Sequence, residues 1–172
     1  MSVVINGSAG VTTNSGAVYD GIQSATAKTA TGTAVDFTGI PSWVKRITVM
    51  FSGISLNGTS SPLIQLGDSG GFETTGYLAS SSAGSSGVAT TAYTTGFGIR
   101  QAVAADTSSG SISFTNLTSN IWVGAGALTI NGSNFCHVAG TKTLSDTLTQ
   151  IRITTVNGTD TFDAGSINIL YE

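Results

Sequence analysis

The sequence predicts an all-β fold: an antiparallel β-sandwich, jelly-roll-like and of about eight strands, with an extended N-terminal arm. Three observations predict it. Apolar residues recur with period two in short runs, the signature of strands with one buried face. Asn-Gly pairs at Asn6, Asn57, Asn131 and Asn157 fall between those runs, and Asn-Gly supplies the two φ > 0 residues of a tight hairpin turn. The usual material of surface helices is scarce: two Glu, three Lys and three Arg in 172 residues, with Thr, Ser, Gly and Asn in their place.

Taken in chain order, residues 1–34 are rich in small residues and Thr and poor in apolar ones. They read as an arm, virion-anchoring or inter-subunit, that is either flexible or ordered by docking on something else. Within it, Val3, Val4 and Ile5 read as a short strand closed by the Asn6-Gly7 turn. Residues 35–172 form the head domain. In the run from Trp43 to Ile54, Ile47, Val49 and Phe51 alternate with Arg46, Thr48 and Ser52. Ile64 and Leu66 share a face in PLIQLGD; Phe97 with Ile99 and Ile112 with Phe114 repeat the pattern. IWVGAGALTI, from Ile121, is fairly apolar on both faces and reads as a central strand or one buried on both sides. Cys136 with Val138, Ile151 with Ile153, and Ile167, Ile169 and Tyr171 complete the set. Leu144, Leu148 and Ile151 also fit a turn of helix. The stretch from Gly76 to Thr95 is rich in Ser, Gly, Ala and Thr and reads as a long irregular loop.

Composition excludes several functions. Charged residues are 9% of the chain and the net charge is −3. The few basic residues are scattered, which argues against a nucleic-acid partner. A single cysteine, Cys136, permits neither an internal disulfide nor a cysteine-based metal cluster. The first ten residues lack the basic and apolar blocks of a signal peptide, and no apolar run is long enough for membrane insertion.

Three stretches invite a chemical reading. LGDSGG, from Leu66 to Gly71, shares its letters with the nucleophile loop of trypsin-like proteases. Ser69 would need a histidine base, and the lone His137 lies C-terminal to it, without the paired cysteines of that family. The simpler reading is a turn: Gly67 ends the strand, Asp68 and Ser69 accept backbone hydrogen bonds, and Gly70-Gly71 permits positive φ. Cys136 and His137 are adjacent, so on a strand they point to opposite faces: a buried thiol and an outward imidazole. No spacing among Asp36, Asp68, Glu73, Asp106, Asp146, Asp160 and Asp163 selects a catalytic pair. No catalytic, metal or cofactor site is therefore expected, and the chain reads as a non-enzyme. Sugar stacking is the third possibility. Tyr77, Tyr93, Trp43 and Trp122 are the rings that could stack on a sugar; Trp43, next to a clear strand, reads as core, whereas Tyr77 and Tyr93 flank the long loop and are the candidates for surface recognition. The Asn-X-Ser/Thr matches at Asn6, Asn57, Asn116, Asn131 and Asn157 mostly reflect Asn-Gly turns, not glycosylation.

The opening MSVVINGSAGVTT resembles the start of bacteriophage tail-fibre and minor virion structural proteins. The block from Ile40 to Tyr77 and the ending from Leu148 to Glu172 resemble a recurrent C-terminal domain of such proteins. The resemblance implies a virion structural protein, a tail-fibre or tail-tip subunit contributing to host attachment. It implies a β-sandwich assembling as a homotrimer, anchored to other virion proteins by the arm, with a host-surface glycan or protein as its outer partner. A capsid decoration protein and a carbohydrate-binding module are the alternatives. The expected location is the virion, after synthesis in the host cytoplasm.

Overall fold

The structure, a computed structural model, describes residues 3–6, 10–13, 21–84, 87–101 and 103–172. Among the described residues it holds sixteen strands and no helix. In chain order they are β1 (Val3–Asn6), β2 (Gly10–Thr13), β3 (Gln23–Ser24), β4 (Lys28–Thr29), β5 (Val35–Thr38), β6 (Arg46–Leu56), β7 (Pro62–Asp68) and β8 (Gly71–Phe72). There follow β9 (Tyr77–Gly84), β10 (Ala89–Tyr93), β11 (Phe97–Gly98), β12 (Ser108–Thr118), β13 (Ile121–Ile130), β14 (Asn134–Thr143), β15 (Gln150–Thr155) and β16 (Phe162–Tyr171).

Two antiparallel sheets make the sandwich. The large sheet runs β10-β9-β14-β13-β12-β6-β16-β3, with β4 also on β16; the small one runs β11-β7-β15-β5, with β8 on β7. Period-two burial shows why these segments are strands. In β6, Ile47, Val49, Phe51, Ile54 and Leu56 are buried, and in β15 Ile151 and Ile153 are. The two inner faces meet in one core. β7 is buried along its whole length: β11, Thr95 and Gly96 cover Leu63 to Gln65, and the Tyr77 hydroxyl and β8 cover Leu66 to Asp68.

The expected strands are all present, with further short and edge strands bringing the number from about eight to sixteen among the described residues, and β13 is central in its sheet. Four expectations differ. First, the stretch from Gly76 to Thr95 is mostly the β9–β10 hairpin, not an irregular loop. Its Ser- and Ala-rich strand is fixed by register against β14 rather than by its own propensity. Second, Leu144 and Leu148 are buried without a helix, in bends leading to β15. Third, positive φ at both members of an Asn-Gly pair occurs only at Asn131 (53°) and Gly132 (67°) among the described pairs; the Asn6-Gly7 turn lies outside the described residues. Fourth, Trp43 is 50% exposed, its ring tilted against Tyr171 at 6.2 Å, instead of in the core. Trp122 is buried.

Residues 23–32 of the expected arm run along the outer edge of β16. Ser24 pairs with Leu170, Lys28 with Ile167, and Gly32 bridges Phe162, while Ala30 is fully buried. The β1–β2 hairpin forms a two-stranded sheet of its own.

At the centre, three rings bridge the sheets. Phe97 of β11 inserts between Tyr77 of β9 (5.6 Å, 88°) and Phe114 of β12 (4.9 Å, 73°). Gly124 makes the room: a Cβ there would lie 2.6 Å from Phe114 and 2.9 Å from Phe97. Gly124→Ala is expected to lower stability by about 1–3 kcal/mol through overpacking. Thermal or urea unfolding checks this, and an unchanged midpoint would show that the rings move aside freely.

Candidate recognition face

The residues singled out from sequence fall in two places. The first is the junction between the sheets. Tyr77 and Tyr93, the candidates for surface recognition, are 1% and 7% exposed, so neither presents a ring to a ligand. The Tyr77 hydroxyl accepts the Leu66 N–H (2.8 Å) and donates to the Glu73 carbonyl (2.9 Å), with the Leu66 carbonyl at 3.2 Å. Burial pushes its pKa far above the ordinary phenol value, so it stays protonated. Tyr93 packs against Gly98, where a Cβ would come within 2.2 Å of its ring. Both are core ties from the β9–β10 hairpin to the small sheet. Their amphipathic rings and the turn residues around them resemble a recognition loop in sequence, which is why burial was not legible there.

LGDSGG closes the β7–β8 hairpin. Gly67 pairs with Phe72 and Asp68 with Gly71, so the strand continues through Asp68 and the turn is Ser69-Gly70 alone. Ser69 is exposed at the turn. Asp68, by contrast, is 3% exposed and acts as an anchor. It accepts the Ser145 hydroxyl (2.6 Å), the Asp146 N–H (2.9 Å) and the Gly70 N–H (2.8 Å). Beside it, Glu73 accepts the Ser145 N–H (2.6 Å) and pairs with the buried ammonium of Lys142, which sits over the Tyr77 ring at 5.2 Å. These groups clamp the bend between β14 and β15 onto the β7–β8 hairpin.

The second place is the outward face of the large sheet. Cys136 is fully buried and His137 is exposed on that face, as the alternation required. Burial also pushes the Cys136 thiol pKa up, which makes it a poor nucleophile. Register places the outward residues in rows. One runs Ser80, Ala139, Ala125, Ser113, Thr48; the next runs Ser82, His137, Ala127, Ser111, Met50. Across β10, β9, β14, β13 and β12 the outward positions carry no Asp, Glu, Lys or Arg. A cleft of about 550 Å³ lies in this face, lined by Ser80, Ser82, Thr90, Ala125 and His137 among others. Phe135, 48% exposed, meets the His137 ring edge-to-face at 5.0 Å. Leu78 and Val123 add exposed apolar surface on the neighbouring row. Sequence reasoning identified His137 as outward-facing. It missed the cleft because Ser80, Ser82 and Thr90 lie in the stretch read as a loop. Among the described residues no cluster of His, Cys, Asp and Glu is arranged to hold a metal ion, and no helix is long and apolar enough to cross a membrane.

No family model matches the chain, and no curated protein matches it. Among solved structures the chain is similar to galectin LEC-6 of Caenorhabditis elegans at 12% identity. The match covers 83% of this chain and 94% of that one at a TM-score of 0.39. At that level the likeness assigns no residue a role.

The clamp has a pH signature. Hydrogen bonds from the Ser145 hydroxyl and the Gly70 and Asp146 N–H groups hold the Asp68 carboxyl below its ordinary value. Burial alone would raise Glu73, but Lys142 and the Ser145 N–H outweigh it and hold it low. Both pKa values are lower folded than unfolded. Their stabilisation is therefore complete above about pH 4–4.5, where the unfolded carboxyls ionise, and is lost as pH falls through the folded values. Urea midpoints are expected to be flat from pH 7 to 5, to drop below about pH 4, and to drop less in Asp68→Asn. Tyr77→Phe leaves the buried Leu66 N–H unpaired and is expected to cost about 1–3 kcal/mol at neutral pH, measured by the same unfolding experiment.

Proposed function

We propose that this chain is a non-enzymatic bacteriophage virion structural protein. It is a tail-fibre or tail-tip subunit that assembles with copies of itself and attaches to the host through the outward face of its large sheet. The observation that carries this reading is the uncharged face spanning β10, β9, β14, β13 and β12. An exposed sheet face ordinarily bears Lys, Glu or Arg among its polar residues. Here hydroxyls, methyl groups and one imidazole take their place. Such a surface has no ion to desolvate on contact and offers short hydroxyl donors and acceptors. Both properties suit a neutral glycan. The His137 cleft adds a concave seat, and the exposed Phe135 ring beside it gives an apolar surface against which a sugar ring packs. The virion setting is supported by the resemblance of MSVVINGSAGVTT and of the blocks around β6–β7 and β15–β16 to phage structural proteins.

The full chain, purified, is expected to bind host cells or cell-wall glycans. Ala125→Arg and His137→Ala are each expected to weaken binding at least about tenfold, with melting temperatures within a degree or two of the parent, since both side chains point to solvent. Unchanged binding in Ala125→Arg would remove the face from the reading. Immunogold label spread over the capsid rather than at the tail tip would favour the decoration role.

A further inference from the structure

The β1–β2 hairpin is separate from both sheets. Ile5 pairs with Val11 and Val3 with Thr13, and among the described residues no strand pairing joins the hairpin to the body. An isolated two-stranded hairpin is marginal in water and needs a third strand or a packing surface. Its own edge of the large sheet is already taken, because residues 23–32 cover β16.

The sheets have other edges, and they are not equivalent. β8 and β11 are two residues long. β5 carries Asp36, whose carboxylate takes both the Nε (2.8 Å) and an NH2 group (2.8 Å) of Arg152, and whose carbonyl takes the Lys28 ammonium. Short edges and charged edges are the usual protections against pairing with another chain. β10 has neither. It is five residues long, reads ATTAY without charge or proline, and among the described residues pairs only with β9. Its length matches the four-residue strands of the hairpin.

Reach decides which copy supplies the strand. Ten residue steps separate Thr13 from Gln23, and a chain of that length, fully extended, spans at most about 36 Å. From β3, where residue 23 is fixed, to β10 there are seven strand intervals, about 34 Å along the sheet, and the added strand lies one interval farther. A hairpin therefore falls short of β10 of its own chain. We infer that the β1–β2 hairpin of one copy adds to the β10 edge of a neighbouring copy. Each subunit gives one hairpin and accepts one, an exchange that a three-fold head-to-tail ring satisfies. This rests on the oligomeric reading above. It also brings the neighbour's strand next to Thr90, at the rim of the His137 cleft.

The test compares the full chain with a chain starting at Gly21, and with full-length Ala92→Lys, which charges the β10 edge without removing the hairpin. Light-scattering mass and amide hydrogen exchange are read on all three. The full chain is expected to run as a trimer with the β10 amides slowed at least tenfold relative to both variants, which are expected to run as monomers. Adding a synthetic peptide of residues 1–13 to the truncated chain is expected to restore the protection. Variants that stay trimeric, β10 amides that exchange equally fast in all three, or a monomeric full chain would each overturn the exchange. None of these outcomes touches the outer-face reading, which stands or falls on binding by Ala125→Arg.

Discussion

The hydroxyl of Tyr77 holds the two sheets together at the point where they would otherwise slide. It rises from β9 of the large sheet and bonds the backbone of Leu66 in β7 of the small one. A cross-sheet hydrogen bond in a dry core has geometry that apolar packing lacks, so it fixes register where methyl groups would tolerate displacement. Phe97 and Phe114 extend the contact as edge-to-face rings, and Gly124 is small because they fill its space. The same hydroxyl bonds the Glu73 carbonyl, so the tie also orders the backbone that feeds the Asp68–Glu73–Lys142–Ser145 clamp.

That arrangement has a consequence for the exposed side. Because Tyr77, Ala79, Ser81 and Ala83 point inward, Leu78, Ser80 and Ser82 point outward. The register with β14 then sets Ser80 beside Ala139 and Ser82 beside His137. The outer face is thus built by the core. A one-residue slip of β9 would bury Ser80 and expel Tyr77, at a cost far above what any surface contact returns.

Most of the architecture was legible in the sequence, because its signals were strong and redundant. β6, β12, β15 and β16 alternate large apolar with polar residues, and their burial follows that alternation. The outward His137 followed from strand geometry alone. What was not legible has a common cause. β9 reads YLASSSAG, with only Tyr77 and Leu78 large, and Leu78 points out at 75% exposure. Such a strand exists only by tertiary pairing to β14 and β10, which local propensity does not encode. Missing it hid the burial of Tyr77 and Tyr93 and the cleft on the other side. Trp43 failed differently: it precedes a clear strand, but its place next to Tyr171 lies at the rim of the sandwich. The anchoring by Asp68 was hidden because its partners, Ser145 and Asp146, lie far along the chain.

The letters that looked like a protease loop show how one motif serves two chemistries. A nucleophilic serine needs a carboxylate to orient a histidine beside it. Here Asp68 is committed to Ser145, Asp146 and Gly70, and the one histidine lies on the outward face of the other sheet. The Asp supplies what both uses share, a buried acceptor with several oriented donors. What differs is the partner, and the partner is a property of the fold rather than of the six letters. In this chain the carboxylate stabilises a junction, and the outward positions of five adjacent strands carry no Asp, Glu, Lys or Arg.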